Sequence, residues 1–393
     1  MTKAPRSAAL DGLRGIAALS VLAFHVWLYR VDRPHAADDR NLLDRVLFEA
    51  NAGLILFFVL SGFLLYRGYA RAALGSAEPP RLAGYVRRRA ARIVPAYYVC
   101  VVGCIALYLA FGPTRILPPA HDWPAFFVFG QNYSLDTLMQ INPVFWTLTV
   151  EVAFYVALPL LALVGLRLGP RRIGAHAAFL LALVGATLAW KWLERAGDWG
   201  EIPGKVLPNY LGHFALGMLA ALWLAHRARE GRAQWTPRAT ALMAATGLAI
   251  VVAQGYWHET APPGDAARSL LGTLTCAAGF ALIVAAVAAG RGGVVRSLRS
   301  RPAARLGEIS YGVYLWHLPL ILVLAEADLL PGSLAPRMAA VLGATLLLAW
   351  ASWELVERPA LRWAERADTR SKARTAPRDG RTDPAPAGAF AAR

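Results

Sequence analysis

Long apolar runs recur along the chain, separated by short connections that contain most of its charged residues. A run of about 20 apolar residues is long enough to cross the hydrocarbon core of a bilayer as a helix, and we predict ten such spans. They lie near residues 12–31, 50–69, 93–112, 144–166, 174–192, 207–225, 239–257, 268–290, 306–327 and 337–357. The apolar stretch at residues 123–130 is too short to cross, so we expect an interfacial or re-entrant piece there.

The composition supports a membrane protein. Of 393 residues, 57% are hydrophobic and 17% are charged, which is more apolar material than a water-soluble domain of this length needs for its core. The predicted fold class is therefore all-α, a polytopic bundle of about ten transmembrane helices formed by residues 1–360. Residues 361–393 turn to Ala, Pro, Arg, Thr and Asp with little periodicity, which predicts a disordered basic cytoplasmic tail.

The net charge of +16 would suggest a nucleic-acid partner in a soluble protein. Here the basic residues follow the predicted spans. One side of the bundle receives 31 of the 41 Lys and Arg residues and the other side nine, with Lys191 inside a span. Because Lys and Arg concentrate in cytoplasmic segments, we expect both termini in the cytoplasm. The partner of this charge is then the lipid bilayer and not a nucleic acid.

Two ionisable residues, Arg14 and His25, fall in or beside the first span. Eleven helical steps turn the chain by about 20° beyond three full turns and advance it by about 16 Å, so both side chains share one face. A planar guanidinium at the mouth of a span suits a phosphate. An imidazole removed from water is neutral near pH 7 and can accept a proton. Taken singly, a snorkelling arginine and a hydrogen-bonded core histidine are the alternatives.

Arg89 and Arg92 lie three residues apart at the start of the third span and share a helix face there. Ordinary positive-inside charge explains the neighbouring Arg87 and Arg88. The run Arg-Ala-Ala-Arg instead leads directly into apolar residues, so we predict that Arg89 and Arg92 meet an anionic ligand.

Thr147, Glu151 and Tyr155 recur every four residues and line one helix face. A carboxylate within a span must be protonated, paired or hydrated. Glu151 could orient or balance a histidine, or hold an acceptor hydroxyl. The alternative is a structural pair with an arginine of a neighbouring helix.

Ser310, Tyr314 and His317 fall within an arc of about 60° on one helix face, where His317 is a candidate lining residue. In the second span, Ser61 and Gly62 stand among bulky residues and permit close approach by a helix or a ligand, with helix packing as the favoured interpretation.

The sequence lacks the motifs of several other enzyme classes. The sequence contains no Walker glycine-rich loop, no Gly-x-Ser-x-Gly elbow and no His-x-x-His or His-x-x-x-His set. The eight histidines are scattered, so no metal site is predicted. The three cysteines stand in apolar stretches, where packing is the favoured role.

Seven motifs resemble those of acyltransferase family 3, a membrane family that includes O-antigen acetylases and macrolide acylases. They are LDGLRGIAALSVLAFH, FFVLSGFLL, RRRAARIVPAYY, FGQNYS, WTLTVEVAFYVALPLL, ISYGVYLWHLPLI and WELVERP. They follow the family order from Leu10 to Pro359, and the ten residues between Arg14 and His25 match the family signature.

The resemblance implies a bacterial inner-membrane O-acyltransferase. It would move an acyl group, by default acetyl, from cytoplasmic acyl-CoA to a hydroxyl of a glycan or glycosylated small molecule. Acyl-CoA is then a substrate, no permanently bound cofactor is expected, and the oligomeric state stays open. The implied roles are catalysis for His25, as general base, and Glu151; donor binding for Arg14, Arg89 and Arg92; and acceptor contact for Ser61, Asn132, Thr147, Tyr314 and His317.

A transporter or exporter of an acylated or anionic metabolite is the main alternative from another class. Buried ionisable residues mark translocation paths as readily as active sites. A purely structural membrane subunit would leave the pairing of Arg14 with His25 without a reason.

Overall fold

The computed structural model describes residues 8–30, 33–34, 39–197, 199–232, 234–262 and 264–375, with side chains through residue 370. Over these ranges the secondary structure is helical, with no strand. Its α-helices, labelled in chain order, are α1 Ala8–Leu28, α2 Leu42–Glu49, α3 Gly53–Ala73, α4 Leu82–Phe111, α5 Pro124–Phe127, α6 Phe145–Arg167, α7 Ile173–Gly197, α8 Leu207–Arg229, α9 Pro237–Thr260, α10 Ala266–Ala289, α11 Gly293–Leu298, α12 Arg301–Glu326, α13 Leu334–Ser352 and α14 Arg358–Thr375.

Ten helical segments of the described chain are long and apolar enough to cross a membrane, which confirms the predicted number. They are α1, α2 with α3, α4, α6, α7, α8, α9, α10, α12, and α13 with α14. Three of them contain an internal proline, namely Pro95, Pro159 and Pro319. Membrane helices tolerate such prolines because neighbouring groups satisfy the freed backbone carbonyls.

The apolar stretch at residues 123–130 forms only the four-residue helix α5. The Tyr97 and Tyr98 hydroxyls of α4 donate to the carbonyl oxygens of Phe126 and Phe127, at 2.9 and 2.6 Å. The segment is therefore tied to α4, and it is too short to be an eleventh span.

Because successive spans alternate in direction, the bundle has two distinct ends. We call the end at which α1 begins the Arg14 end; α4, α9 and α12 begin there too. We call the opposite end, where α1 and α9 end, the His258 end. His25 lies three residues before the end of α1, so it is much nearer to the His258 end than Arg14 is.

Two helix pairs pack tightly at the centre, α3 with α8 and α1 with α12. Gly62 of α3 faces the carbonyl oxygen of Phe214, and Gly217 of α8 faces that of Val59, so a Cβ at either glycine would overlap backbone. This contact agrees with the helix-packing interpretation of Gly62. The α1–α12 pair carries the histidines described below.

The predicted tail boundary was wrong for residues 361–375. A five-residue π-helix, Trp353–Glu357, continues α13 into α14, which extends to Thr375. Asp368 of α14 pairs with Arg87, at 3.2 Å, and with Arg88, so two basic residues of α4 anchor a segment whose composition alone indicated disorder. The rest of the predicted tail, residues 376–393, lies outside the described residues.

Candidate active site

His25 of α1 and His317 of α12 are in direct contact. The distance from His25 Nδ1 to His317 Nε2 is 3.1 Å, and the ring centroids are 5.0 Å apart. Each Nδ1 also approaches the backbone carbonyl four residues earlier in its own helix. His25 Nδ1 is 2.9 Å from the Val21 oxygen, and His317 Nδ1 is 3.1 Å from the Val313 oxygen.

These contacts fix the tautomer of both rings. A carbonyl oxygen only accepts hydrogen bonds, so Nδ1 carries the proton in His25 and in His317. The His317 Nε2 atom then has a lone pair that accepts from the His25 N–H, which it shares with the Val21 carbonyl. The His25 Nε2 atom has no partner among the residues that the structure describes, so it keeps a lone pair, as a proton acceptor requires.

Tyr314 lies beside this pair. Its ring centroid is 5.9 Å from that of His317, and its hydroxyl lies within hydrogen-bond distance of Thr147 Oγ1 and of the Val144 carbonyl. The sequence placed Thr147 and Tyr314 on separate helix faces. The structure brings these faces of α6 and α12 together.

A second cluster of polar side chains surrounds Glu151 on α6. Ser61 of α3 donates to Glu151 Oε1 at 2.7 Å, and the Tyr155 hydroxyl donates to the same oxygen. Arg14 lies within electrostatic reach of Glu151 and Tyr155. Glu151 is therefore placed beside the arginine of α1, whereas the sequence left open a histidine as its partner.

Arg14 and Glu151 line a cavity of about 30 Å³, which Thr147, Ser310 and Tyr314 also line. We call it the Arg14 cavity. Among the described residues the Arg14 guanidinium has no hydrogen-bond or ion-pair partner. His25 is not among the residues that line this cavity. Tyr314 lines the cavity and contacts His317, which in turn contacts His25.

Arg89 and Arg92 occupy different environments. Arg89 lies over the Tyr155 ring, 5.9 Å from its centroid. Arg92 is only 4% exposed, and its Nη1 donates to Glu357 Oε2 at 3.1 Å. The Nε and Nη2 atoms of Arg92 are buried and have no partner in the described structure, so one edge of the guanidinium keeps unused donors.

Asn132 is buried away from the histidine pair. Its amide donates to the carbonyl oxygens of Trp146, at 2.8 Å, and Lys205, at 2.6 Å. These bonds tie the start of α6 to the turn before α8. Asn132 therefore has a positioning role at the His258 end, and its predicted acceptor contact stays a prediction.

Sequence reasoning gave Glu357 no role, although WELVERP was recognised as a motif. A carboxylate in an apolar span needs a partner, and that signal was present. Its partner Arg92 lies 265 residues earlier in the chain, a separation that helical periodicity cannot bridge. Among the described residues no three His, Cys, Asp or Glu side chains are grouped to hold a metal ion.

The described residues form a helix bundle with ten membrane-spanning segments, a pair of histidines of which His317 is buried and His25 half-buried, and a polar cavity. These features define the class: a polytopic membrane protein with an internal polar site. The chain belongs to the acyltransferase family whose model, described as an acyltransferase domain, matches residues 7–354. The match covers every residue of the site except Glu357.

Curated relatives agree with this membership. The chain is 28% identical to nodulation protein 10 of Rhizobium leguminosarum bv. viciae, over 90% of this chain and 92% of the relative. It is 29% identical to exopolysaccharide production protein ExoZ of Rhizobium meliloti, over 79% and 89%. It is 26% identical to the putative peptidoglycan O-acetyltransferase YrhL of Bacillus subtilis, over 89% of this chain and 54% of that protein. No solved structure matches the chain.

Proposed function

We propose that the protein moves an acyl group, by default acetyl, from acyl-CoA to a hydroxyl of a glycan or glycosylated small molecule. The observation that carries this proposal is the contact of His25 Nδ1 with the Val21 carbonyl and with His317 Nε2. From it we assign the proton to Nδ1, which leaves the Nε2 lone pair of His25 for the acceptor hydroxyl. Membership of an acyltransferase family supplies the reaction class.

In the proposed step, His25 Nε2 removes the proton of the acceptor hydroxyl as its oxygen attacks the thioester carbonyl. The new ester C–O bond forms, the C–S bond breaks, and the proton passes from His25 to the CoA thiolate. His317 acts as a positioning residue. Its Nε2 lone pair faces the Nδ1–H of His25 and stabilises the imidazolium that forms during the step.

Charge at the Arg14 end supports an anionic donor. Arg92 keeps two unpartnered donor atoms, Arg89 lies nearby on α4, and Arg14 borders the cavity that leads towards Tyr314. We infer that these three arginines bind the donor's phosphates and that Glu151 balances the charge of Arg14.

The same end carries a larger basic cavity of about 640 Å³ between α4 and α14. Its lining includes an exposed tryptophan, Trp363, and four arginines, namely Arg87, Arg362, Arg366 and Arg370. Guanidinium groups bind phosphates through paired hydrogen bonds, and an indole face stacks on a nucleobase. The adenosine phosphates of CoA match this combination.

The acceptor class and the membrane follow from the relatives. A peptidoglycan O-acetyltransferase and an exopolysaccharide production protein are named for carbohydrate polymers, so we assign a carbohydrate acceptor to this chain. From the excess of Lys and Arg at the Arg14 end we infer that this end faces the cytoplasm. From the bacterial relatives we infer that the membrane is a bacterial inner membrane.

The test is transfer from radiolabelled acetyl-CoA to short oligosaccharides by the purified chain in nanodiscs. We expect His25→Ala to lower kcat by about 10²- to 10⁴-fold, the usual contribution of a general base. His317→Gln should lower kcat by about ten- to a hundredfold with the KM for acetyl-CoA unchanged, the range expected for losing a hydrogen bond to a charged ring.

The matched control is His121→Ala, since the His121 side chain is 79% exposed and lies outside the site. Transfer that persists in His25→Ala contradicts the proposal. Flux of a labelled metabolite through proteoliposomes without any ester product would support the transporter alternative instead.

A further inference from the structure

A second large cavity opens at the His258 end, outside the site described above. Its volume is about 460 Å³, within the range of about 300–1,000 Å³ that is usual for small-molecule sites. Its walls come from α2, α3, α6 and α8 and from the facing ends of α9 and α10. We call it the His258 cavity.

The polar groups of this cavity include one that the fold leaves unsatisfied. Gln254 of α9 is 8% exposed and lines the cavity, and its amide has no hydrogen-bond partner among the described residues. One turn later, His258 Nδ1 is 2.8 Å from Glu49 Oε1. Gln254 is absent from the side chains whose buried polar atoms lack a partner, so its amide is open to the cavity and offers a donor and an acceptor to a polar ligand.

Aromatic rings form another part of the wall. The Trp146 and Tyr210 ring centroids are 5.4 Å apart, and Lys205 Nζ lies 4.3 Å from the Trp146 centroid. The amide of Asn132 holds the backbones of Trp146 and Lys205 together. The wall is therefore fixed in place by a residue buried behind it.

Charge balance distinguishes between ligand classes. Arg268 donates to the carbonyl oxygens of His258 and Ala261, so its guanidinium is engaged by the connection between α9 and α10. The lining carries the Lys205 and Arg268 cations and the Glu49 carboxylate, a formal charge of +1, whereas four arginines line the basic cavity at the Arg14 end. The His258 cavity is therefore the poorer phosphate site of the two. An alkyl chain would leave these polar groups unsatisfied. A neutral sugar fits both features, since hydroxyls donate and accept while C–H groups pack on aromatic rings.

Two aromatic side chains, Phe48 in the cavity wall and Phe24 behind it, connect the cavity to the catalytic histidine. The Phe48 ring, which stacks on His258, is 6.3 Å from the Phe24 ring, and Phe24 is 5.0 Å from His25. Leu54 lines both the His258 cavity and the Arg14 cavity.

We propose that the His258 cavity is the acceptor subsite. It binds a neutral pyranose unit through Gln254 and the Glu49–His258 pair, with Trp146 and Tyr210 as its apolar wall. This inference rests on the proposed acyltransferase function.

The test uses the purified full chain in nanodiscs with radiolabelled acetyl-CoA and two acceptor series, short oligosaccharides of glucose and of N-acetylglucosamine. We expect Gln254→Ala and His258→Ala each to raise the acceptor KM by about tenfold, since one lost hydrogen bond is worth about 1.4 kcal/mol. The KM for acetyl-CoA and the slow hydrolysis of acetyl-CoA by water should not change. His121→Ala again serves as the exposed control.

The outcomes distinguish a failure of the sugar subsite from a failure of the proposed acyltransferase function. Transfer with an acceptor KM within about twofold of wild type in both variants, less than the cost of one hydrogen bond, overturns the sugar subsite and leaves the acyltransferase standing. A wild-type chain that acylates neither series overturns both. If His258→Ala folds poorly, Gln254→Ala decides alone, because this amide has no partner in the fold to lose.

Discussion

The two ends of the bundle carry opposite kinds of polar surface. At the Arg14 end, arginines of α4 and α14 surround a basic cavity, and Arg92 is bound to Glu357. At the His258 end, the cavity combines amide, imidazole and aromatic groups with two cations and one carboxylate. An anion suits the first end and a neutral polyhydroxyl compound the second. The histidine pair lies between them, which is where two such ligands would have to meet.

The largest expected effect concerns the stability of the Arg14 end. Arg92→Met alone leaves the buried Glu357 carboxylate without its partner, and such changes cost about 3–5 kcal/mol. The double variant Arg92→Met with Glu357→Leu removes both charges and should recover most of that loss. Thermal unfolding in detergent measures both variants. Equal destabilisation by the single and double variants would show that the pair is not the reason for the loss.

A smaller effect is expected at the mouth of the Arg14 cavity. Arg14→Met should raise the KM for acetyl-CoA by about tenfold, equivalent to about 1.4 kcal/mol, while the acceptor KM stays unchanged. The matched control is Arg305→Met, an arginine of the same end whose side chain is 75% exposed. Steady-state kinetics with each substrate varied in turn give both constants. A rise in the acceptor KM instead would contradict the assignment of the donor to the Arg14 end and of the acceptor to the His258 end.

The number and position of the spans were predictable because each span is recognisable from the length and apolar composition of its own sequence. The shared helix faces were also predictable, because helical periodicity relates residues of one helix, such as Arg14 to His25 and Thr147 to Glu151. Contacts between helices were not. His25 meets His317 across 292 residues, and no spacing rule relates them.

The α14 helix and the His258 cavity escaped prediction for a related reason. The helix was mistaken for a tail because Asp368 is held by arginines far away in the chain. The cavity is assembled from helix ends and short connections, where Glu49, Gln254 and His258 look like ordinary polar residues. Only the fold brings them to one space.

We infer that donor and acceptor reach His25 from opposite ends of the bundle. Proteoliposomes that enclose the acceptor oligosaccharide, with radiolabelled acetyl-CoA added only outside, test it most directly. We predict acylated oligosaccharide in the sealed lumen, formed by molecules whose Arg14 end faces outward, and none with His25→Ala. Product that forms only when both substrates are on the same side of the bilayer would contradict the claim.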